Sequence, residues 1–276
     1  MLQSQNPIRY YPHVAMNEFT FHRVGSQEQF GRQAHYYTQS VVHSSGESLQ
    51  LVQDWAARGR YGRAADIGTG TGFTAFAIAP YADSIVAADI TSAMLTEARS
   101  LADQRGVTNL HYTLAAAEDL PLAHGSLDLL TCRTAAHHFE DLGKAVAEWQ
   151  RVLAPKAVLL LADTSCPEDA ATAQWMNDIE ERRDPSHVRN LPPSEWLALL
   201  EANGFRITDN ILAPVPLEFD DWVRRSGTPA LVVEGLRYDF LNASPGAVEA
   251  FDIRQEKSGT IRFKWACVVV RAVRER

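Results

Sequence analysis

The chain is poor in cysteine and has no surplus of positive charge. Its three cysteines, Cys132, Cys166 and Cys267, are odd in number, far apart and never spaced Cys-x-x-Cys. That argues against a disulfide scaffold and a zinc site, and it fits a reducing, cytoplasmic setting. Lysine and arginine number 26 against 34 aspartates and glutamates, a net charge of −8, and the densest basic pairs are only Arg182-Arg183 and Arg224-Arg225. A nucleic-acid surface needs clustered cations to neutralise phosphates, so no nucleic-acid partner is expected. No apolar run approaches the roughly 18 residues of a membrane span. The first 25 residues lack the apolar core of a signal peptide. Repeats and low-complexity tracts are absent, and no His/Asp/Glu set has ligand spacing, so no metal is expected. What remains is 46% hydrophobic and 22% charged over 276 residues, an ordinary globular composition and enough chain for one large core.

Against that background one stretch stands out, Asp66-Ile67-Gly68-Thr69-Gly70-Thr71-Gly72. A strand-like run precedes it and an apolar helical run, Phe73 to Ala79, follows. Strand, glycine turn and helix begin a Rossmann-type nucleotide site, where the backbone passes so close to a ligand that side chains would collide. A dinucleotide fingerprint wants its third glycine where Phe73 stands, and no Gly-Lys-Ser/Thr follows, so a P-loop is excluded. The site left is one for a nucleoside whose ligand need not carry phosphates. A second apolar run, Ser84 to Ala88, ends in Asp89, 17 positions after Gly72. An acid at that strand tip can accept both ribose hydroxyls. It also suits a helix cap, because Thr91-Ser92 opens the next helical stretch.

Alternation of strand and helix continues downstream and implies a parallel, doubly wound α/β sheet. Strands are expected at 62–67, 84–89, 109–115, 127–133, 157–163, about 205–212 and 261–270, seven in all. Helices are expected at 71–79, 92–105, 141–153, from Pro167 to about Arg183, from Glu195 to Asn203 and over 229–241. Residues 1–25 read as an arm. Residues 26–60 read as a helical lid, with Phe30, Ala34, Tyr37 and Val41 on one stripe. Residues 61–276 form the main domain. Segments of about 165–190 and 214–255, the latter with Pro214 and Pro216, read as a cap outside the sheet.

Five segments in fixed order carry a family resemblance: Asp66 to Gly72; Ala88-Asp89-Ile90; Ala117 to Pro121; Leu127 to Arg133 running into His137-His138-Phe139; and Glu148 to Pro155. Across roughly residues 27–210 the chain resembles the class I S-adenosylmethionine-dependent methyltransferases. Within that family it is similar to the quinone-biosynthesis C-methyltransferases and related small-molecule enzymes. The resemblance implies a Rossmann-like fold, S-adenosyl-L-methionine as cofactor, and C- or O-methylation of a small aromatic or hydrophobic acceptor.

By the same resemblance, Asp66 orders the turn and approaches the methionine part of the cofactor. Gly68, Gly70 and Gly72 lie along it, with Thr69 beside them. Ile90 and Met94 flank the adenine, Ala117 and Glu118 form the adenine-reading loop, and Tyr37 covers the cofactor from the lid. The main chain of Arg133 holds the amino group. Two positions depart from the family. Ala116 stands where many relatives carry an acid, and Pro155-Lys156-Ala157 stands where Pro-Gly-Gly is usual. His137 and His138 follow the fourth strand at the mouth of the site, and an imidazole there suits proton removal near neutral pH. His43, His187 and Arg189 are candidates for substrate contact. Two other readings stay open on sequence: a protein that binds the cofactor without methyl transfer, and a nicotinamide oxidoreductase on the same fold.

Overall fold

The structure, a computed structural model, describes Gly25, residues 27–31 and residues 45–275. The expected arm, apart from Gly25, lies outside the described residues, as do Tyr37 and His43. Residues 27–31 are helical, and α1 follows at Glu47–Ala56.

The strands are β1 (Tyr61–Ile67), β2 (Ala82–Asp89), β3 (Leu110–Leu114), β4 (Leu127–Arg133), β5 (Leu153–Ser165), β6 (Phe205–Glu218), β7 (Arg254–Gln255) and β8 (Ile261–Arg274). Seven of them form one sheet in the order β3-β2-β1-β4-β5-β8-β6, and the two-residue β7 pairs with β8 off that path. β1 to β5 are mutually parallel, whereas β8 runs antiparallel between β5 and β6. The sheet is therefore Rossmann-like and doubly wound.

Crossover helices make the parallel pairing possible, and each has a local cause. α2 (Phe73–Ile78) starts at Gly72 in the left-handed region. α3 (Ser92–Arg105) stops at Gly106, which is also left-handed, as helix ends favour. α4 (Leu142–Val152) is capped by Asp141, whose carboxylate accepts from the Lys144 N–H. α5 (Ala170–Arg183) is capped in the same way by Asp169. α6 (Pro193–Ala202) opens on proline, whose missing N–H costs nothing at a first turn.

Side chains of the central strands alternate between two cores, as the pleat requires. Leu130, Leu159 and Leu161 join Trp149 of α4 and Trp196 of α6 on one face. Leu129, Leu160 and Ala162 join Trp55 of α1 and Ile78 of α2 on the other. Burial on both faces explains why β5 is apolar almost throughout.

The largest departure from the sequence expectation concerns β6. The pattern predicts an end near 212, with 214–255 outside the sheet, but β6 runs on to Glu218 and pairs Pro214 with Ala266 and Pro216 with Lys264. Proline breaks central strands but is tolerated at an edge, and β6 is the edge strand. The extended ends of β6 and β8 carry α5, α7 (Phe219–Arg225), α8 (Ala230–Leu241) and α9 (Pro245–Phe251). These helices close a third, aromatic core containing Phe219, Trp222, Phe240, Phe251, Phe263 and Trp265. Among the described residues no helix is long and apolar enough to cross a membrane.

Candidate functional site

Parallel pairing puts the carboxyl ends of β1, β2, β4 and β5 along one sheet edge, with Asp66, Asp89, Arg133 and Asp163 at or near the ends. Asp66 is buried beneath the glycine turn. Its Oδ2 accepts the Thr69 hydroxyl at 2.6 Å and its Oδ1 accepts the Thr131 hydroxyl at 2.7 Å. Burial pushes its carboxyl up to about 6, against the pull of those hydrogen bonds and of the Arg133 charge. Asp66 therefore braces the turn from below and does not face the open space above it.

The turn needs its glycines for measurable reasons. Gly68 and Gly70 have φ of 64° and 54°, a region where side chains are strained. A β-carbon at Gly68 would sit 2.5 Å from that of Ala135, and one at Gly72 would sit 2.7 Å from the Phe76 ring. Over Gly70 nothing lies within 4 Å, so its backbone is open to a ligand. Asp89 secures the same loop from β2, because its Oδ2 accepts the Gly70 N–H at 2.8 Å and its Oδ1 accepts the Thr91 N–H at 2.9 Å. Each carboxylate oxygen keeps a second lone pair. Burial raises the Asp89 carboxyl pKa, and these N–H donors oppose the rise.

Above the turn is a cavity of about 510 Å³, within the usual range for small-molecule sites. Gly68, Thr69 and Gly70 line one end; Asp89, Ile90 and Met94 form a wall from β2 and α3; Ala117 and Glu118 come from the loop after β3. Arg133 and His138 close the side beyond β4. Gly72 is set back at the start of α2.

A second cavity, of about 450 Å³, lies beside the first, and both are lined by Phe30, Arg133, Thr134 and His138. Thr134 marks the junction with a φ of 53°, which is strained for a β-branched residue. Its N–H donates to the Ala162 carbonyl at 2.8 Å, so strand pairing holds it there. The Arg133 Nε donates to the Thr74 hydroxyl at 2.9 Å.

The two histidines differ in environment. His137 lines the second cavity, and its Nδ1 meets Asp163 Oδ1 at 2.7 Å. Burial would lower its pKa, but Asp163, with Glu180 and Asp184, raises it above the usual imidazole value. His138 lines both cavities, with its Nδ1 3.1 Å from both the hydroxyl and the carbonyl oxygen of Ser186. Burial, and repulsion from His137 4.2 Å away between ring centroids, lower its pKa to about 4.

Two sequence expectations are corrected here. His187 lines neither cavity; it is buried, with Nε2 3.1 Å from Asn177 Oδ1. Arg189 points outward into a two-pronged ion pair with Glu195, at 2.8 and 2.7 Å. The cause is a pinned backbone: Val188 and Arg189 both donate their N–H to the His137 carbonyl. In the other direction, Thr134, Asp163 and Asn190 carry no local sequence signal, and Phe30 shows in the sequence only as part of a helical stripe. Only the folded arrangement brings Phe30, Thr134 and Asn190 to the cavity walls and Asp163 behind His137.

Residues 65–161 match the family described as "Methyltransferase domain". The uncharacterized methyltransferase YcgJ of Bacillus subtilis (strain 168) is 35% identical over 250 residues, spanning 90% of this chain and 99% of that protein. The chain belongs to the class I S-adenosylmethionine-dependent methyltransferases. The crystal structure of YcgJ superposes with a TM-score of 0.77 at 36% identity, covering 83% of this chain and 98% of YcgJ. A solved structure from Bacillus halodurans C-125 gives 0.78 at 31% identity, covering 84% of this chain and all of that one (100%). The uncharacterized protein YafE of Escherichia coli (strain K12) is 37% identical over 164 residues, 59% of this chain and 78% of that protein.

The methyltransferase cofactor is S-adenosylmethionine, and the first cavity fits it. The backbone over Gly70 is bare, an acid with spare acceptor capacity stands at the tip of β2, and Met94 and Ala117 offer apolar surface to an adenine. The turn contains no lysine for a phosphate chain, which agrees with a ligand that has none. Family membership also sets aside the nicotinamide reading.

Proposed function

We propose that the protein transfers a methyl group from S-adenosylmethionine in the first cavity to a small aromatic or hydrophobic acceptor in the second. The observation that carries this reading is the shared wall: Arg133, Thr134, His138 and Phe30 border both cavities, so two ligands can meet there. In this reading Asp89 takes the ribose hydroxyls, Ile90 and Met94 flank the adenine, and Ala117 and Glu118 border its edge. Asp66 and the three glycines shape the turn, Thr69 contacts the ligand, and the main chain of Arg133 holds the amino group.

The sulfonium supplies an activated methyl group, so the chain's own task is alignment, exclusion of water and handling of one proton. Alignment falls to the strained Thr134 junction and the braced turn. Water is excluded by Phe30, whose ring packs edge-on to His138 at 4.8 Å, and by Trp222 and Trp265 in the second cavity. Gln29 ties this N-terminal segment to the Ser226 carbonyl, which supports a lid over both sites, and α7, whose Trp222 lines the second cavity, supports a cap over the acceptor. His137 is positioned to take the proton, while His138 stays neutral and packs. Three free, buried cysteines support a cytoplasmic setting.

Thermal unfolding tests the reading. A ligand bound only by the folded state raises the melting temperature by mass action. S-adenosylmethionine and S-adenosylhomocysteine should therefore raise it by several degrees, and NAD and ATP should not. Equal shifts with all four, or release of S-adenosylhomocysteine with peptides or nucleic acid but with no small aromatic acceptor, would contradict the proposal.

A further inference from the structure

Two buried side chains at the second cavity, one in its wall and one behind His137, carry polar atoms that the roles above leave unused. Asp163, 1% exposed at the end of β5, binds His137 through Oδ1, while its Oδ2 has no hydrogen-bond partner among the described residues. Asn190, also 1% exposed and part of the cavity wall, has neither atom of its carboxamide bonded among the described residues. Buried polar groups are nearly always hydrogen-bonded, so a bare carboxamide in a cavity wall has a donor and an acceptor to offer to whatever fills the cavity.

Asn190 cannot drift to find another partner, because its backbone is fixed on several sides. Its N–H donates to Asn177 Oδ1 at 2.7 Å, and its carbonyl accepts from Asn177 Nδ2 at 3.3 Å and from the Cys166 thiol at 3.2 Å. One residue on, the Leu191 carbonyl accepts the Ser165 hydroxyl at 2.8 Å. The flanking N–H groups of Val188 and Arg189 bind the His137 carbonyl, which keeps Asn190 and His137 on the same cavity. With Nδ1 committed to Asp163, His137 has Nε2 left for the cavity.

The rest of the wall narrows the ligand class. Trp222 and Trp265 stand 6.2 Å apart between centroids at 79° and give flat apolar surface beside Leu217. The two buried carboxylates there are already engaged, Glu180 with Arg183 and Trp265, and Asp184 with Ser186, while Glu47 in the same lining is exposed. Arg133 in the same wall, whose Nε goes to the Thr74 hydroxyl and not to a carboxylate, disfavours a protonated amine and suits a developing oxyanion.

Building on the acceptor reading of this cavity, we propose that the acceptor is a phenol or stabilised enol with a second oxygen beside the reacting one. His137 Nε2 takes the proton of the reacting hydroxyl, and the Asn190 carboxamide binds the neighbouring oxygen. The O–H electron pair stays on the acceptor oxygen, and the imidazolium is stabilised by Asp163. That oxygen bonds to the methyl carbon as the carbon–sulfur bond breaks toward sulfur, and His137 later returns its proton to solvent. Asp163 is a positioning residue: it keeps the hydrogen on Nδ1 so that the Nε2 lone pair is available.

The test uses the full chain saturated with S-adenosylhomocysteine and two coloured probes, 4-nitrocatechol and 4-nitrophenol. The phenolate absorbance of each is followed against pH, and S-adenosylhomocysteine affinity is measured in parallel by calorimetry. Bound 4-nitrocatechol should ionise at lower pH than the free probe, and Asp163→Asn and His137→Asn should each remove that shift. Asn190→Ala should weaken 4-nitrocatechol about tenfold while leaving 4-nitrophenol unchanged. The proposal is overturned if the probes stay neutral on binding, if ionisation survives both variants, if Asn190→Ala affects both probes equally, or if neither probe binds. Unchanged S-adenosylhomocysteine affinity in the variants shows that they are folded. Failure of that ligand to bind the wild type would sink the reading of the first cavity instead.

Discussion

Replacing His137 with Asn is expected to lower methyl transfer by about 10²–10⁴-fold, the range for loss of a general base, with cofactor affinity unchanged. His138→Asn should cost far less, and pH separates the two. A base must be neutral to act. His137 sits among Asp163 from β5 and Glu180 and Asp184 from α5 and its end, and these raise its pKa above the usual imidazole value. The wild-type rate should thus rise with pH through a midpoint above the ordinary imidazole range, and fall as pH drops through it. His138, lowered to about 4, is already neutral across that window and cannot produce the transition. Asp163→Asn removes the closest carboxylate and should shift the midpoint down. Kinetics of single variants on one acceptor check all of this. A midpoint near 4, or a profile indifferent to Asp163, would move the base role away from His137.

Asp89→Ala is the second large effect, expected to weaken S-adenosylmethionine binding by about 30- to 150-fold. That corresponds to about 2–3 kcal/mol for hydrogen bonds to a charged group. The carboxylate bonds the Gly70 and Thr91 N–H groups, so the variant loses the ribose contacts and also loosens the turn. Asp89→Asn keeps one carbonyl oxygen to accept a backbone N–H and should fall between alanine and wild type. Calorimetric titration distinguishes these outcomes. If alanine stays within twofold of wild type, Asp89 is a cap and nothing more.

What the sequence reveals and hides has a common physical cause. The turn from Asp66 to Gly72 is legible because a left-handed backbone and close packing against Ala135 and Phe76 admit only glycine, at fixed local spacing. Gly106 ends α3 for a similarly local reason. The extension of β6 is hidden because Pro214 and Pro216 read locally as breakers, and only their place on the sheet edge makes them acceptable. Asp163 is hidden because an acid ending an apolar strand says nothing until β4 and β5 pair, aligning Arg133 with Ala162 and bringing His137 to its carboxylate. The misplacement of His187 and Arg189 has the same root. Their composition suggests a contact, but two backbone bonds to the His137 carbonyl decide which way the loop presents them.

The central claim is that the cofactor's reacting end lies at the wall between the two cavities. A crystal structure with S-adenosylhomocysteine bound tests it most directly. The account predicts the ribose on Asp89, the adenine between Met94 and Ala117, and the sulfur beside Thr134 and His138, facing the cavity that contains His137. A sulfur atom directed away from that wall, or a ligand seated anywhere but over Gly70, would contradict it.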